Sequence, residues 1–423
     1  MKILMVNSFY YMRGGGERYT FDLTALLESH GHQVIPFSME HERNFPSEYD
    51  EYFVSAIDFP EEMAKRNPKS MARVLERIMY SREAKGKMER ILADTQPDLV
   101  HVNGFIHEFS TSILPPMKAA GLPVTQTLHD YKIVCPNTTF VSNDEICERC
   151  LGHRYYNVAL NRCKRGSLAA SFLAGAEMYF HEFFNTYETN IDVFQSPSEF
   201  LRSKVIEHGV RKPVVVIPHF FDPNNFQPHY EPENYVVYVG RLVKVKGIMT
   251  LLQAMEKTPQ THLYIAGSGE LEPEMRRFIA DHSLSNVTLL GHLNTDELQT
   301  LVQRALANIL PSEWYENYSA TLRESLACGT PVIGSNIGGI PEQVTDGWNG
   351  YLFEPGNADE LAEKIQRLVA NPALAVEMGR RGRYQVEIVN SPETHYRQVH
   401  EVYESLLRGE PVSQPAPAVV PVI

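Results

Sequence analysis

Short β-branched segments alternate with helical patterns along almost the whole chain of 423 residues. Strands that alternate with helices predict parallel sheets covered by helices on both faces. We therefore predict an α/β fold class, with two doubly wound, Rossmann-like domains that face each other across a cleft. The candidate strands are Ile3–Val6, Gln33–Phe37, Leu99–Val102, Val124–Leu128 and Val193–Gln195 in the first half, and Val236–Val239, Leu263–Ala266, Val287–Leu290, Ala307–Leu310 and Val332–Gly334 in the second.

A segment rich in proline and asparagine separates the two series, and we place the domain boundary there. The first domain is predicted at 1–212 and the second at 213–390. A last helix at 391–410 is expected to return to the first domain. The tail at 411–423 has four prolines and no periodicity, so we expect it to be disordered.

Composition narrows the class of partner and the compartment. The net charge is −13 and the pI about 5.7, so no global electrostatic feature favours nucleic acid, and we expect none as a partner. The opening MKILMVNSF has too short an apolar core for a signal peptide and fits a first buried strand better. We therefore expect a cytoplasmic protein.

The most informative stretch for chemistry is Leu310–Ser335, where a predicted strand ends and a helix begins near Ser319. Glu316 precedes that helix and Glu324 lies within it. The start of a helix offers unpaired backbone N–H groups that suit a diphosphate, and a carboxylate inside the helix suits a ribose diol. Two solvent-facing glutamates would fit the spacing as well, but would not explain the small Gly329-Thr330-Pro331 exit.

The pattern E-x7-E, followed by a small residue, Gly, x, Pro and Val, resembles the retaining glycosyltransferases of the glycogen synthase, sucrose synthase and phosphatidylinositol mannosyltransferase type, which have the GT-B fold. Further motifs follow in the family's order. These are Val239-Gly240-Arg241 with Lys246-Gly247, Ile265-Ala266-Gly267-Ser268-Gly269, Leu290-Gly291-His292-Leu293 and Gly338-Gly339-Ile340-Pro341-Glu342.

The resemblance implies a nucleotide diphosphate sugar as donor and a sugar, glycan or lipid-linked acceptor. It implies that Arg241 and Lys246 neutralise the leaving diphosphate, that Glu316 contacts the donor sugar, and that Glu324 binds the ribose. The second domain would bind the donor and the first the acceptor, with no catalytic metal. Further donor contacts are implied at Gly240, Gly267, His292, Leu293, Asn317, Tyr318, Ser319, Ala320 and Thr321.

One departure from the family is visible after Glu316. The family usually has Gly-Phe-Gly there, whereas this chain has Asn317-Tyr318-Ser319. Asn and Ser still suit the start of a helix. Loss of the second glycine narrows the pocket near the donor sugar, so the departure concerns which sugar is bound and not the reaction class.

The first half carries a second set of candidates. Gly14-Gly15-Gly16 follows the first strand, where backbone can approach a phosphate, although three glycines also suit a plain flexible loop. The resemblance places Gly15 and Gly16 beside the donor diphosphate and His129, at the end of Val124–Leu128, beside the transferred sugar; a generic surface histidine is the alternative. His101, His107 and Tyr131 are weaker candidates for the acceptor side.

A basic segment interrupts this acidic chain between Met63 and Arg90. It has nine Lys or Arg and three Glu, and its apolar residues fall on one helical face. A domain helix with a solvated basic face is one interpretation. The other is a helix that rests on an anionic membrane surface, which would place the protein peripherally on the inner face of a membrane.

Four of the five cysteines lie within an insertion at 135–163, with the spacing C-x11-C-x2-C-x12-C. The C-x2-C step suits two thiolates on one tetrahedral ion, which predicts a structural zinc site formed by Cys135, Cys147, Cys150 and Cys163, with His153 as a substitute ligand. A disulfide or redox pair and four unlinked thiols are the alternatives.

Two functions compete with the retaining transferase. A sugar-nucleotide epimerase on the same fold would need acid and base carboxylates in the cleft. A non-catalytic binder of sugar nucleotides would not need the full set of Glu316, Glu324, Arg241, Lys246 and His129.

Overall fold

The computed structural model describes residues 1–65 and 67–418, and the first domain in it is built on a parallel six-stranded sheet. The strand order is β2-β1-β3-β4-β7-β8. The strands are β1 (Lys2–Val6), β2 (Gln33–Phe37), β3 (Leu99–Val102), β4 (Val124–Thr127), β7 (Val193–Ser196) and β8 (Val214–Val216), with a separate hairpin of β5 (Val141–Ser142) and β6 (Glu145–Ile146). The helices are α1 (Gly15–Ser29), α2 (Phe59–Ala64), α3 (Pro68–Met79), α4 (Arg82–Thr95), α5 (Leu114–Ala119), α6 (Tyr156–Leu160), α7 (Leu168–Phe183), α8 (Thr186–Asn190) and α9 (Glu199–Glu207).

The second domain repeats this architecture with the strand order β11-β10-β9-β12-β13-β14, again parallel throughout. The strands are β9 (Tyr235–Val239), β10 (His262–Ala266), β11 (Val287–Gly291), β12 (Ala307–Leu310), β13 (Val332–Ser335) and β14 (Gly350–Phe353). The helices are α10 (Ile248–Glu256), α11 (Glu272–Asp281), α12 (Thr295–Gln303), α13 (Ala320–Ala327), α14 (Ala358–Ala370), α15 (Pro372–Val389) and α16 (Pro392–Leu407).

Both faces of the first sheet are buried, as a doubly wound sheet requires. Along β1, Ile3 and Met5 pack into a core that α1 and α16 share, whereas Leu4 and Val6 pack into the core on the opposite face. Successive strand residues point to opposite faces, so a continuous apolar run fits a sheet covered on both sides. The predicted α/β class with two Rossmann-like domains is confirmed.

Strand β8 belongs to the first sheet, where it pairs with β7. The change from one sheet to the other therefore comes after Val216, and not at the predicted boundary of 212 and 213. The run of valines at 214–216 is itself a strand signal that the prediction assigned to the separating segment. Strand β14, beside β13, also extends the second sheet beyond its five predicted strands.

The end of the chain packs on the first domain. Val399, Val402 and Tyr403 of α16 lie in the same core cluster as Ile3 of β1. Residues 411–418 form neither helix nor strand, but the side-chain amide of Gln414 bonds both the N–H and the C=O of Val216, at 2.8 Å each. The predicted disorder of the tail stays a prediction for 419–423, which lie outside the described residues.

The sheet topology fixes where ligands can bind. In a doubly wound sheet the crevice opens at the carboxyl ends of the two strands from which the chain winds in opposite directions. Those strands are β1 and β3 in the first domain and β9 and β12 in the second. The loops after them carry the glycine turn, the Gly240-Arg241 step and the approach to Glu316.

Candidate functional site

Glu316 is buried at the edge of the second sheet, beyond the end of β12. Its Oε1 accepts hydrogen bonds from Ser312 Oγ at 2.7 Å and Trp314 Nε1 at 2.8 Å, and Lys246 Nζ lies 2.5 Å away. Burial raises the pKa of Glu316, but Lys246 and these hydrogen bonds outweigh burial and hold the pKa below its usual value. Glu316 is therefore an ionised carboxylate paired with a lysine.

Lys246 keeps donors available for a ligand. Its ammonium lies 5.1 Å from the centre of the Trp314 ring, and its side chain remains 16% exposed. An ammonium has three N–H donors, and the pair with Glu316 uses only part of them. Lys246 is thus held in place by Glu316 while it still presents positive charge to the cleft.

Asn317 joins the two domains at this point. Its Oδ1 accepts a hydrogen bond from Ser198 Oγ at 2.9 Å, and its Nδ2 donates to the backbone carbonyl of His129 at 3.3 Å. Both partners belong to the first domain. The departure from the family's glycine therefore gives this chain an amide that fixes His129 next to Glu316. A glycine could not make these contacts.

His129 lies between the glycine turn and the second domain. Its Nε2 is 3.1 Å from Asn103 Oδ1, and a Cβ added to Gly16 would be 3.8 Å from its ring. Burial lowers the pKa of His129 to about 4, so its imidazole is neutral at ordinary pH. A neutral imidazole bonded at one nitrogen suits a hydrogen bond to a sugar hydroxyl.

The glycine turn leads into α1, whose first residues are Gly15 and Gly16. One turn into that helix, Arg18 Nη1 lies 3.2 Å from Glu324 Oε1 of the second domain. Burial raises the pKa of Glu324, while Arg18 and Arg323 oppose that shift. The ribose-binding candidate thus faces α1 directly across the cleft.

Helix α13 begins after Ser319, where the sequence predicts a binding position for the donor diphosphate. Ser319 precedes its first residue and caps it, since the hydroxyl accepts the N–H of Leu322 at 3.3 Å. The N–H groups of Ala320 and Thr321 belong to the first turn, which has no acceptors within the helix. The side chain of Tyr318 is directed toward Asn390, from which its hydroxyl accepts a hydrogen bond at 2.9 Å.

Two glycines of the second-domain motifs allow close contacts between loops. A Cβ on Gly267, where φ is +146°, would lie 1.8 Å from the carbonyl oxygen of Gly240. A Cβ on Gly247 would lie 1.7 Å from the carbonyl oxygen of Pro311. A side chain at either position is sterically excluded. These glycines bring the loops after β9, β10 and β12 together, which positions Lys246 beside Glu316.

Three other donor-site candidates lie at the carboxyl edge of the second sheet. Arg241 and His292 are exposed, and Leu293 is half-buried in the loop after β11. They occupy strand-end loops on the same edge of the sheet as Glu316. The structure thus places them near one another along that edge, but does not bring their side chains into the Lys246–Glu316 cluster.

A cavity of about 220 Å³ in the first domain borders His129. His107, Asp130, Lys132 and Lys164 also line it. His107 therefore fits the predicted acceptor side. Apolar side chains such as Phe105 and Leu128 line the cavity as well, and the two lysines suit an acceptor with hydroxyl or anionic groups.

The other two acceptor-side candidates do not line this cavity. His101 is fully buried within β3, and its ring nitrogens lie 2.5 Å from the Tyr403 hydroxyl and 2.7 Å from Thr127 Oγ1. It attaches α16 to the first sheet. Tyr131 is also buried, and its hydroxyl donates to the carbonyl oxygen of Tyr315 in the second domain at 3.3 Å. Their assignment to the acceptor side stays a prediction, and in this structure both side chains make buried contacts within the protein.

The predicted zinc site is not supported. All five cysteines are free thiols, and no three His, Cys, Asp or Glu side chains among residues 1–65 and 67–418 are arranged to hold a metal ion. The insertion is held by other contacts. Phe140 packs on Tyr131, and Glu148 accepts from the Tyr315 hydroxyl at 2.6 Å and pairs with Lys204 at 2.9 Å.

The basic segment forms α3 and α4, with Arg66 outside the described residues. Arg77 is buried, donates to the Glu108 carbonyl and pairs with Glu83 at 2.9 Å, so part of the positive charge is structural. Met71 and Leu75 are exposed on α3. Within the described part of the chain, no helix combines the length and the apolar composition that a membrane span needs.

Several residues of the site are not among the candidates that the sequence indicates. Arg18, Asn103, Ser198 and Trp314 all contact predicted site residues. Arg18 had a signal, a basic residue one turn after the glycine turn. Asn103 follows β3 at the switch point of the first sheet, which topology alone could have indicated.

Comparison with known families gives matches in both halves of the chain. The model of glycosyltransferase family 4 matches residues 13–225. The model of glycosyl transferases group 1 matches residues 222–385. The two matches meet where the first sheet gives way to the second.

Curated relatives match over part of their length. An uncharacterised glycosyltransferase of Methanocaldococcus jannaschii is 29% identical over 226 residues, which are 53% of this chain and 62% of that protein. The glycogen synthase of Mycobacterium tuberculosis is 33% identical over 185 residues, 43% of this chain and 44% of that enzyme. The matched region thus covers less than two thirds of either relative.

Solved structures match over nearly the whole chain. The Anabaena protein HepE in complex with UDP-glucose superposes with a TM-score of 0.64 at 18% identity, over 96% of this chain and all of that one. The likeness establishes the GT-B arrangement of two Rossmann-like domains. Because a family model matches half of its length, the chain belongs to glycosyltransferase family 4.

Proposed function

We propose that the protein is a retaining hexosyltransferase that uses a UDP- or GDP-linked sugar and an acceptor bound in the first-domain cavity, in the synthesis of a glycan, polysaccharide or glycolipid. The observation that carries the proposal is the cluster at the domain junction. There the Lys246–Glu316 pair meets His129 and the glycine turn through Asn317.

The leaving diphosphate needs positive charge, and three groups supply it. Lys246 is held by Glu316, Arg241 lies at the carboxyl edge of the second sheet, and the first turn of α13 offers N–H groups. Fixed donors aimed at a group that gains charge in the transition state lower the barrier without reorganisation. The proposal therefore assigns no step to a metal ion. Retention itself rests on the family resemblance.

The donor sugar would lie between Glu316 and His129. Glu316 would accept hydrogen bonds from its hydroxyls, and neutral His129 would bond a further hydroxyl. Glu324 would accept from the ribose, displacing Arg18 toward the diphosphate. The relatives support this class of donor, since HepE was solved with UDP-glucose and another match is named a GDP-mannose-dependent mannosyltransferase.

The test is a panel of nucleotide sugars measured by calorimetry, followed by donor hydrolysis without acceptor. We expect one UDP- or GDP-sugar to bind best and to be hydrolysed slowly to the nucleoside diphosphate. The anomeric configuration of the released or transferred sugar, read by NMR at early times, then tests retention.

The competing functions give different results in the same experiment. An epimerase would convert the nucleotide sugar into its stereoisomer without release of free nucleoside diphosphate. A non-catalytic binder would show binding and neither reaction. Inversion of the anomeric centre would contradict the proposed mechanism while leaving the transferase class intact.

A further inference from the structure

Helix α7 buries polar side chains and exposes apolar ones. Its buried residues include Ser171, Glu177 and His181, and Glu177 pairs with Lys132 at 2.7 Å. The exposed fractions on the opposite side are 55% for Leu168, 68% for Phe172, 41% for Tyr179 and 81% for Phe183. Their spacing of four, seven and four residues puts them on one face of the helix. This arrangement is the reverse of a helix at the surface of a water-soluble domain.

The exposed apolar surface continues onto α6. Helix α6 packs closely on α7, since a Cβ at Gly175 would already lie 3.0 Å from Val158 Cγ1. Among the described residues, eight of the sixteen exposed large apolar side chains fall within 151–184. We name as the α6–α7 face the side chains of Tyr156, Leu160, Leu168, Phe172, Tyr179, Phe183 and Phe184.

Basic residues are concentrated in the segments that lead into α6 and α7. The sequence from 149 to 176 contains five Lys or Arg and no Asp or Glu. The acidic residues that bound the stretch, Glu148 and Glu177, are paired with Lys204 and Lys132 elsewhere. The five basic residues are Arg149, Arg154, Arg162, Lys164 and Arg165, and all but the half-buried Lys164 are exposed.

The face adjoins the candidate acceptor cavity through Lys164. This residue lies in the turn between α6 and α7, and it lines the cavity beside His107 and His129. A molecule anchored in a layer against the α6–α7 face would therefore have its polar end close to the cavity. Helix α3, which carries the exposed Met71 and Leu75, packs against α7.

We propose that the α6–α7 face docks on an anionic lipid membrane, where the enzyme meets an acceptor carried by a lipid. Aromatic and leucine side chains enter the boundary between headgroups and acyl chains, and the arginines contact lipid phosphates. The nature of the acceptor rests on the proposed function. The docking itself rests on the exposed face and its charge.

Charge decides between a membrane and a second copy of this chain. A symmetric dimer would bring the same patch of both copies together, with four exposed arginines in its segments on each side. Like charges brought together without counterions oppose such a contact. An anionic lipid surface supplies the missing negative charge and an apolar layer at once.

The experiment is vesicle flotation of the full chain. Vesicles of phosphatidylcholine alone are compared with vesicles that also contain phosphatidylglycerol. We expect binding to the anionic vesicles that weakens at high salt. Phe172→Ser/Phe183→Ser should lower the bound fraction by about tenfold or more, and Arg162→Glu/Arg165→Glu should reduce it to the level on neutral vesicles.

Matched controls keep the result specific. Ile206→Ser removes an exposed apolar side chain on α9, and Arg276→Glu/Arg277→Glu reverses two exposed charges on α11; neither should change flotation. Lys69→Glu/Arg73→Glu tests the basic segment of α3 separately. Both α6–α7 variants alter only exposed side chains, so each should keep the wild-type melting temperature, which is measured beside flotation.

Three results would overturn the proposal. They are no binding to anionic vesicles, equal binding to neutral and anionic vesicles, and wild-type flotation of the Phe172→Ser/Phe183→Ser variant. The third result overturns the proposal even if the same substitutions dissociate a dimer of the chain. Flotation needs no substrate, and Glu316→Gln should float like the wild type. A chain that floats without transferase activity would therefore contradict the proposed function alone.

Discussion

At the scale of single residues, the site depends on how a few buried polar groups are paired. Glu316 lies in the protein with three partners on one oxygen, and one of them is the ammonium of Lys246. Removal of either member of a buried ion pair leaves the other without compensation. Effects on catalysis and on stability must therefore be measured separately here.

Lys246→Met should reduce turnover and stability together. We expect turnover to fall by about 10²–10³-fold, as for the loss of one fixed donor. Unfolding should become easier by about 3–5 kcal/mol because Glu316 is left buried and unpaired. The double variant Lys246→Met/Glu316→Gln should recover most of the stability and none of the turnover. Recovery of activity in the double variant would remove Lys246 from the mechanism.

Glu324→Ala should weaken the binding of nucleoside diphosphate in calorimetry. Each charge-assisted hydrogen bond to a ribose hydroxyl is worth about 1.5–3 kcal/mol. Arg18→Ala removes the partner of Glu324 in this structure and serves as the control for stability. The Arg18–Glu324 pair is partly exposed, so its loss alone should cost little stability. Unchanged affinity in Glu324→Ala would exclude it as the ribose ligand.

Arg241→Ala should lower turnover more than it weakens donor binding. The side chain is exposed, so the melting temperature should not change. Steady-state rates at saturating donor, set against calorimetric affinity, separate the two effects. A loss confined to affinity would place Arg241 in binding and not in stabilisation of the leaving group.

Asn317→Gly tests the departure from the family pattern. The variant loses hydrogen bonds to Ser198 and to the His129 carbonyl, each worth about 0.5–1.5 kcal/mol. We expect a higher donor KM and a wider range of accepted donor sugars, measured on the nucleotide-sugar panel. Ser198→Ala, which removes one of the two contacts, should have a smaller effect in the same direction.

At the scale of elements, close loop contacts and one long-range helix organise the site. The glycines at 247 and 267 let strand-end loops touch backbone to backbone. Helix α16 crosses back to the first sheet, where Tyr403 bonds His101 and Tyr19 lies 3.1 Å from His395. These buried contacts connect α16 to the first sheet and to α1, the helix that opens at the glycine turn.

Tyr403→Phe should destabilise the protein by about 1–3 kcal/mol, since it leaves a buried ring nitrogen of His101 without its partner. Chemical denaturation measures this loss. Tyr396→Phe is the matched control, because that hydroxyl bonds His32 in a partly exposed position. Equal effects of the two substitutions would show that the buried contact with His101 stabilises the protein no more than the partly exposed contact with His32.

At the scale of the whole molecule, buried neutral histidines predict acid sensitivity. Burial lowers the pKa to about 3 for His101 and His395 and to about 4 for His129. The unfolded chain takes up protons near pH 6.5, while the folded chain does not. Stability is therefore lost as pH falls from about 6.5 toward these values, by up to about 1.4 kcal/mol per pH unit for each histidine. Denaturation curves across this range should show this dependence of the free energy of unfolding on pH. His395→Gln should reduce the slope by the contribution of one proton, up to about 1.4 kcal/mol per pH unit.

The sequence by itself determined the fold class and the edge of the sheets at which the donor-site candidates lie. A strand-end residue of a parallel sheet must lie at the carboxyl edge, so Glu316, Lys246, Arg241 and His129 could be assigned to one cleft from their order along the chain. Helix α13 also begins at the predicted place, because Ser319 is a strong helix cap. Local patterns were sufficient where local geometry fixes the outcome.

Only the tertiary structure decided which polar side chains meet. His101 and His107 flank the same strand end, yet His101 faces α16, more than 300 residues away in the chain, and His107 lines the cavity. The cysteine spacing suggested a metal that the folded insertion does not support. The amide of Asn317 reaches His129 only when both domains are in place. The physical reason is that the direction and burial of a side chain depend on the elements packed against it, and those come from distant parts of the sequence.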